Sequence, residues 1–500
     1  MSVIASLAAS TKVTRRFVKL AAIAALAGCA SMHGLRPQEH PLDTDSLRAQ
    51  RSLSGMTLSP AAWPKQDWWK TFNDAQLDRL VDEALAGNPD LAAAQARARK
   101  AEAVAGAAEA ARKPSLGALA GAAGARIPET LFPPPMGGHF GVTQYGILDF
   151  KWDFDLGGGK RAGWQAALGE ARASEVEAQA ARMMLSADVV SAYAALADAY
   201  VQQDLAQQAS QRARTFGDLT AQRVKAGIDS RFQSAQIDAE TADAQAQLAA
   251  ADNSVHGSGI ALAVLIGRGP DRALAIARPH QLPANSLALP SDLPSNLLGR
   301  RPDIVAARWR VEAAASNIKA AKAAFLPDVS ITALAGLVAG PGASLLQASA
   351  GLYSIAPALS LPIFDGGKRR TNLAGKDADY DLAVAQYNKT VIGAINEVAE
   401  RVDNVRALDA QLTRERQAWT NAQQAYDLAM QRYRGGVGNY LEALTVRSQL
   451  IGAERRLAAL HAQRASAAVQ LIEALGGGFE PSNDTPSIAA TPNNEQQATQ

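Results

Sequence analysis

The sequence contains few of the residues that build a compact globular core. Its 500 residues include 7 Trp, 9 Tyr and 11 Phe, so only 5% are aromatic although 48% are hydrophobic. Most of the apolar content is therefore Ala, Leu and Val. Because Ala favours the helical conformation and lets helices approach closely, this composition predicts long helices packed side by side.

Cysteine, histidine and an excess of either charge are scarce as well. A single Cys excludes an intramolecular disulfide, and the six His residues lie far apart, without the spacing of metal ligands. A net charge of +2, with both signs scattered, excludes the basic surface of a nucleic-acid-binding protein. No GxSxG, CxxC or HExxH motif occurs, so we predict no metal, no other cofactor, no nucleic-acid partner and no enzymatic activity.

The N-terminus has the layout of an export signal. Four basic residues at positions 12–19 precede Leu20 to Ala30, the longest unbroken apolar run, which is short of the roughly 20 residues that a membrane-spanning helix needs. Leu26-Ala27-Gly28-Cys29 resembles the bacterial lipobox, which predicts cleavage after residue 28 and covalent diacylglycerol and N-acyl chains on Cys29. Ala30, where a lipoprotein retained at the inner membrane would have Asp, implies sorting to the outer membrane. The alternative is an ordinary signal peptide with a Cys nearby by chance.

The rest of the chain is a tandem duplication. Asn88-Pro89-Asp90-Leu91 matches Arg301-Pro302-Asp303-Ile304 at an offset of 213 residues, and Leu262 to Gly267 matches Leu471 to Gly476 at an offset of 209. Repeats of this size indicate that each copy is one structural unit. Within each copy the order reads as a helix, two strands and a very long helical hairpin.

These matches predict six segments. They are a lipoprotein signal peptide (1–28), an acylated N-terminal segment with the start of the first helix (29–85), structural repeat 1 (86–267), a proline-rich connector (268–300), structural repeat 2 (301–476) and a disordered tail (477–500).

The absence of proline predicts the long helices. All 23 prolines avoid residues 136–269 and 363–480, and Pro inside a helix costs about 3 kcal/mol. In the second window apolar residues recur every 3.5 residues on average, which is typical of a coiled-coil seam. The seam is predicted to contain Val384, Tyr387, Val391, Ile395, Val398, Val402, Val405, Leu408 and Leu412, and the first copy repeats it with smaller side chains.

One segment has the pattern of an outer-membrane strand. Apolar residues alternate there with Asp149, Lys151, Asp153 and Asp155, which predicts one face toward lipid and one toward water. Four strands per chain cannot close a barrel, because the smallest membrane barrels have about eight strands, so three chains and twelve strands are expected. The predicted lipid-facing residues are Leu148, Phe150, Trp152, Phe154 and Leu156, with Tyr353, Ile355, Pro357, Leu359, Leu361 and Ile363 in the second copy.

Three stretches resemble the outer-membrane efflux lipoproteins of the TolC superfamily, closest to the NodT-type factors (OprM-like). Residues 68–77 (WWKTFNDAQL) resemble the family's opening helix, residues 293–304 (LPSNLLGRRPDI) its mid-chain signature, and the glycine-containing hairpin ends are the third. The resemblance covers residues 59–476. It implies a homotrimeric duct, with a twelve-stranded barrel in outer-membrane lipid continued by a periplasmic α-helical barrel, that exports small toxic or amphipathic compounds.

The resemblance also implies partners and sites. The hairpin ends, Ala226-Gly227-Ile228 and Gly435-Gly436-Val437, are expected to contact a periplasmic adaptor that connects the duct to an inner-membrane pump. The resemblance implies that this pump is proton-driven. Glu442 lies where relatives have one acidic residue of the periplasmic gate, whereas Thr445 replaces a common second Asp. The alternatives are solvated turns at the hairpin ends and a solvated surface charge at Glu442.

Two other functions fit the same pattern less well. A type I protein-secretion duct would have the same architecture, but the predicted acylation and the NodT-like stretches argue against it. A lipid-anchored periplasmic coiled-coil scaffold would not need the alternating strand at 148–156.

Overall fold

The structure is a computed structural model. It describes residues 32, 34–42, 63–131, 133, 137–282, 297–438 and 440–480. The chain divides into two compact units. One unit contains residues 1–41, 98–173 and 307–387, and the other contains residues 42–97, 174–306 and 388–500.

The two copies contain matching helices. α1 (Ala75–Gly87) leads into the first copy, which has α2 (Pro89–Ala110), α3 (Gly159–Lys225) and α4 (Arg231–Leu265). The connector has the short α5 (Asp271–Leu274) and α6 (Leu297–Arg300). The second copy has α7 (Pro302–Ala323), α8 (Lys368–Arg434) and α9 (Tyr440–Ala474). α2 and α7 both have 22 residues, α3 and α8 both have 67, and α4 and α9 both have 35. The duplication inferred from the sequence is therefore confirmed.

The strands of both copies form one antiparallel sheet in the order β1-β2-β3-β4. The strands are β1 (Ser115–Arg126), β2 (Phe140–Asp153), β3 (Asp328–Ala339) and β4 (Gly351–Ser360). β1 and β3 begin directly after the prolines at 114 and 327, and they supply the second of the two strands predicted in each copy. Pro357 lies within β4 opposite Ile331, and β4 is an edge strand within one chain, where a missing N–H is tolerated.

The predicted seam of α8 is buried in the structure. Val391, Val398 and Val402 are at most 1% exposed, and Val398 and Val402 pack with Leu471 and Leu475 of the second copy's closing segment. In α3 the stretch from Leu185 to Ala199 is buried on more than one side. An 18-residue window of α3 is apolar enough to cross a membrane, but 56% of it is buried within the protein, so this helix is a core helix.

Polar side chains join the two ends of each copy. Asn88 Nδ2 donates to Leu265 O (2.9 Å), and Arg301 Nη1 donates to Ala474 O (3.0 Å), one repeat later. Both acceptors are carbonyls in the last turn of a helix, which have no intrahelical partner. The residue before Pro-Asp thus caps the closing helix of its own copy in both repeats, which explains why this short motif recurs.

The strand predicted at 148–156 is wrong in its bounds. β2 begins earlier, at Phe140, and ends at Asp153, so Phe154 and Leu156 lie in the turn before α3. The alternation continues through these residues, but Asp155 adopts a positive φ of 49° and its carboxylate caps α3. In the second copy Leu361 and Ile363 likewise follow the end of β4.

Two predicted bounds can be compared with the structure. The segment 29–85 was predicted to contain the start of the first helix, and α1 begins within it at Ala75 and continues to Gly87. The predicted tail was to begin at residue 477, but Phe479 is buried and Gly478 lies against the backbone of Lys65. Residues 481–500 of that predicted tail lie outside the described residues. The predicted lipidation site, Cys29, lies outside the described residues.

Candidate functional site

The register of the sheet gathers apolar side chains onto one face. Leu148, Phe150 and Trp152 of β2 share this face with the residues opposite them on the neighbouring strands. Ile355 and Leu359 of β4 lie on the same face and are 74% and 70% exposed. An exposed apolar face of this extent is stable in lipid and unfavourable in water.

The opposite face of the sheet is mixed: it carries the charged side chains together with small ones and with apolar residues such as Leu119, Ile147 and Leu334. Its charged residues are concentrated at the end of β2 and the start of β3: Asp149, Lys151, Asp153 and Asp328. Lys151 forms an ion pair with Asp149 (3.7 Å), and Lys160 at the start of α3 pairs with Asp153. This face is therefore suited to line a water-filled barrel, as the alternation in the sequence predicted.

The first hairpin end is a tight turn between α3 and α4. Gly227 has a φ of +71°, and Ile228 N donates to Arg223 O (2.9 Å), which closes the last turn of α3. The Arg223 side chain donates to both oxygens of Asp229, at 2.8 and 3.3 Å. This bond, with smaller contributions from Tyr433, raises the pKa of Arg223. Ile228, at the centre of the turn, is 62% exposed.

The second hairpin end repeats this geometry between α8 and α9. Gly436 has a φ of +75°, and the amides of Val437 and Gly438 both donate to Arg432 O, at 3.1 and 2.9 Å. Val437 occupies the position equivalent to Ile228 and is 79% exposed. The structure thus places both predicted triplets, 226–228 and 435–437, in turns that present an apolar side chain to solvent.

The two hairpins contact each other near their ends. The rings of Phe216 and Tyr433 lie 5.7 Å apart and pack with Ile237 of α4 and Ala443 of α9. Burial raises the pKa of the Tyr433 hydroxyl. This cluster was not predicted from the sequence, although Tyr433 lies directly before the second hairpin turn and Phe216 lies about three helical turns before the first.

An ion pair between the hairpins was also missed. Arg447 of α9 is 4% exposed and donates through Nη2 to Glu240 of α4. Burial raises the pKa of the Glu240 carboxyl, while Arg447 opposes the rise. The predicted gate residues lie on the preceding turns of α9, where Glu442 in the first turn and Thr445 are both exposed.

A membrane-compatible sheet in a chain with two duplicated long hairpins defines a class of protein, the outer-membrane channel subunit. The sequence matches the outer membrane efflux protein family over residues 80–268 and 293–477, and the chain belongs to this family.

Relatives and solved structures agree with this assignment. The fusaric acid resistance protein FusA of Burkholderia cepacia is 31% identical, and the match covers 95% of this chain and 91% of FusA. The multidrug resistance outer membrane protein MdtP of Escherichia coli K12 is 28% identical, and the match covers 91% of this chain and 94% of MdtP. The outer membrane protein VceC of Vibrio cholerae has 37% identity and a TM-score of 0.77, covering 84% of this chain and 100% of that one. The outer-membrane channel OprN has 27% identity and a TM-score of 0.79, and the match covers 90% of this chain and 98% of OprN.

The fold class and function predicted from the sequence are thereby confirmed. The protein is the outer-membrane channel of an efflux system, a trimer in which three four-stranded sheets form a twelve-stranded barrel continued by a helical barrel. Trimerisation also accounts for the free edges of β1 and β4 within one chain, because an unpaired strand edge is not viable in lipid.

Proposed function

We propose that this channel is the duct of a tripartite system that exports small amphipathic toxicants, with an inner-membrane pump supplying the energy. The observation that carries the proposal is the combination, in one duplicated chain, of an exposed apolar sheet face with two hairpins whose first helices each have 67 residues. At 1.5 Å per residue each of these helices is about 100 Å long. The names of FusA and MdtP, which refer to fusaric acid and multidrug resistance, support small molecules as cargo.

The proposed duct is held in the outer membrane by acyl chains on Cys29 in addition to its barrel. The described segment that follows this residue is fixed to the protein. The amides of Gln38 and Glu39 both donate to Asp381 Oδ1 of α8, at 2.9 and 3.0 Å, and Leu35 packs near Leu373. A fixed segment a few residues after Cys29 supports an anchor that positions the chain rather than a loose tether.

The proposed adaptor contact is at the two hairpin ends. Ile228 and Val437 are exposed at equivalent positions, and an exposed apolar side chain in a rigid turn is suited to insert into a partner's surface. Gly227 and Gly436 keep each turn tight, because their positive φ values are unfavourable for other residues. We define the adaptor as the protein that binds these hairpin ends and the pump as the protein that the adaptor connects to the duct.

The proposed periplasmic gate contains Glu442, with Thr445 one turn further along α9. Three symmetry-related Glu442 carboxylates around the trimer axis would attract cations and repel one another. Thr445 adds no second ring of charge, so the entrance would carry three carboxylates rather than six.

The proposal is tested by measuring the accumulation of dyes, detergents, antibiotics and aromatic acids in cells with and without the gene. A double variant, Ile228→Asp and Val437→Asp, places charge on both hairpin ends without disturbing a buried contact. Leu274→Asp is the matched control, since Leu274 lies in the connector and is 78% exposed.

We expect raised accumulation in the deletion strain and the double variant, with the Leu274 control behaving as wild type. Unchanged accumulation across the panel, together with loss of a secreted protein, would reject the efflux duct in favour of protein export. Raised accumulation in the deletion strain alone would retain the duct and reject the adaptor contact.

A further inference from the structure

A groove runs between α3 and α8 near the ends of the hairpins, with α9 contributing to its floor. Its volume is about 650 Å³, within the roughly 300–1,000 Å³ of sites that bind small molecules. It extends along four turns of α3, from Gln208 to Gln222.

One part of the groove is apolar. Phe216 and Leu219 of α3 face Tyr426 and Met430 of α8 across it. Phe216 is buried and packs with the cluster that joins the two hairpins, whereas the other three are half-buried. Flat aromatic and flexible thioether side chains accommodate ring and alkyl groups of varied shape.

The groove also contains two arginines whose hydrogen-bonding capacity is not filled. Arg447 donates a hydrogen bond from Nη2 to Glu240, but its buried Nε and Nη1 have no hydrogen-bond partner among the described residues. Arg212 donates to Glu454 (3.0 Å), and its buried Nε is also without a partner there.

Buried N–H groups without an acceptor are unfavourable, and a charged acceptor that reaches them is bound correspondingly well. The Phe216 ring centre is 5.6 Å from Arg447 Cζ, and both residues line the groove. The groove thus combines an apolar wall with a guanidinium that lacks acceptors.

We propose that this groove is a binding site for small amphipathic carboxylates, with the apolar body against Phe216 and Met430 and the carboxylate directed at Arg447. The inference rests on the proposed function, because it assigns the site a class of exported substrate. Carboxylates are favoured over neutral polar groups because an ionised acceptor forms the stronger bond with a guanidinium.

Binding is measured on the full-length trimer in detergent with two probes of equal size, 4-butylbenzoate and the neutral 4-butylbenzamide. We expect the acid to bind about tenfold more tightly than the amide in the wild type. The paired variant Glu240→Gln with Arg447→Gln keeps a neutral hydrogen-bonded pair in place of the ion pair, and it should abolish this preference.

Two further variants keep the test decisive if the paired variant does not assemble. Tyr426→Glu places a carboxylate at the half-buried rim and should weaken acid binding about tenfold, with little effect on the amide. Arg414→Gln is the charge-matched control, because Arg414 lies in a separate exposed groove between α8 and α9. Equal binding of acid and amide by the wild type, or a loss of acid binding in the Arg414 control as large as in Tyr426→Glu, would overturn the proposal.

Export in cells separates this inference from the efflux function itself. In the paired variant the export of butylbenzoate should fall at least about fivefold more than that of a cationic dye. An equal fall for both compounds would reject the carboxylate site while retaining the duct. Wild-type cells that export neither compound would instead count against the proposed efflux function.

Discussion

The start of α3 allows a direct test of how the backbone conformation of a capping Asp affects the stability of a helix end. Asp155 Oδ1 accepts from Lys160 N and Oδ2 from Arg161 N, each at 2.8 Å, while Asp155 itself has a φ of 49°. The second copy has Asp365 at the equivalent junction, where its carboxylate accepts from Gly367 N (3.0 Å) and Arg369 N (3.1 Å). Asp365 lies outside the left-handed region. The duplication therefore supplies one cap with a positive φ and one without.

The difference in φ should reverse the order of two substitutions. At either site, replacing Asp by Ala removes the cap and costs about 0.5–2 kcal/mol. At position 155, Gly should be better than Ala by about 1–2 kcal/mol, because it adopts a positive φ without a steric penalty. At position 365, Gly should be worse than Ala by about 0.5–1 kcal/mol, because it loses more conformational freedom on folding.

Hydrogen–deuterium exchange of the capped amides, measured by mass spectrometry on the trimer, reads out these differences. One to two kcal/mol corresponds to a factor of about 5–30 in the opening equilibrium. Peptides that cover Lys160 and Arg161 should therefore exchange more slowly in Asp155→Gly than in Asp155→Ala. Peptides covering Gly367 and Arg369 should show the opposite order for the Asp365 variants. The same order at both junctions would refute the role assigned to the positive φ of Asp155.

Three further predictions concern the anchor, the gate and pH. Cys29→Ala should weaken membrane anchoring but leave the trimer intact on native gels, and recovery of monomers alone from membranes would contradict it. Glu442→Ala should raise single-channel conductance in planar bilayers by removing charge from the entrance, so unchanged conductance and cation selectivity would reject the gate. Partial desolvation, reinforced by the carboxylates of Asp188 and Glu397, raises the pKa of Glu473, whose side chain is otherwise exposed. The stability it contributes is present below its ordinary pKa of 4.5 and is lost as pH rises through the raised pKa. The heat-dissociation temperature of the wild type should therefore fall across that range relative to Glu473→Gln, whereas parallel curves would argue against the shift.

The long helices and the duplication could be predicted because both depend on local sequence. The proline-free windows and the seam at Val391, Val398 and Val402 mark α8 without reference to the rest of the chain. The hairpin turns were predictable for the same reason, since Gly227 and Gly436 mark positions that require a positive φ.

The end of β2 and the contacts between hairpins could not be predicted in this way. Phe154 and Leu156 continue the strand's alternation, but β2 ends at Asp153 and Asp155 adopts a positive φ, which the alternation does not indicate. The bond from Arg447 to Glu240 joins residues 207 positions apart on α9 and α4, so no periodicity within one helix indicates it. Such a pair depends on how helices are arranged around one another, which a single sequence does not specify.

The equal lengths of the paired helices also constrain how this protein can change in evolution. Removing one heptad from α3 alone would move its end by about 10.5 Å along the helix axis, and Phe216 would no longer meet Tyr433. The same deletion would have to occur in α4, α8 and α9 for the two hairpin ends to stay together. The length of the duct is thus set by four helices of one chain. A longer or shorter duct requires matched insertions or deletions in all four of them.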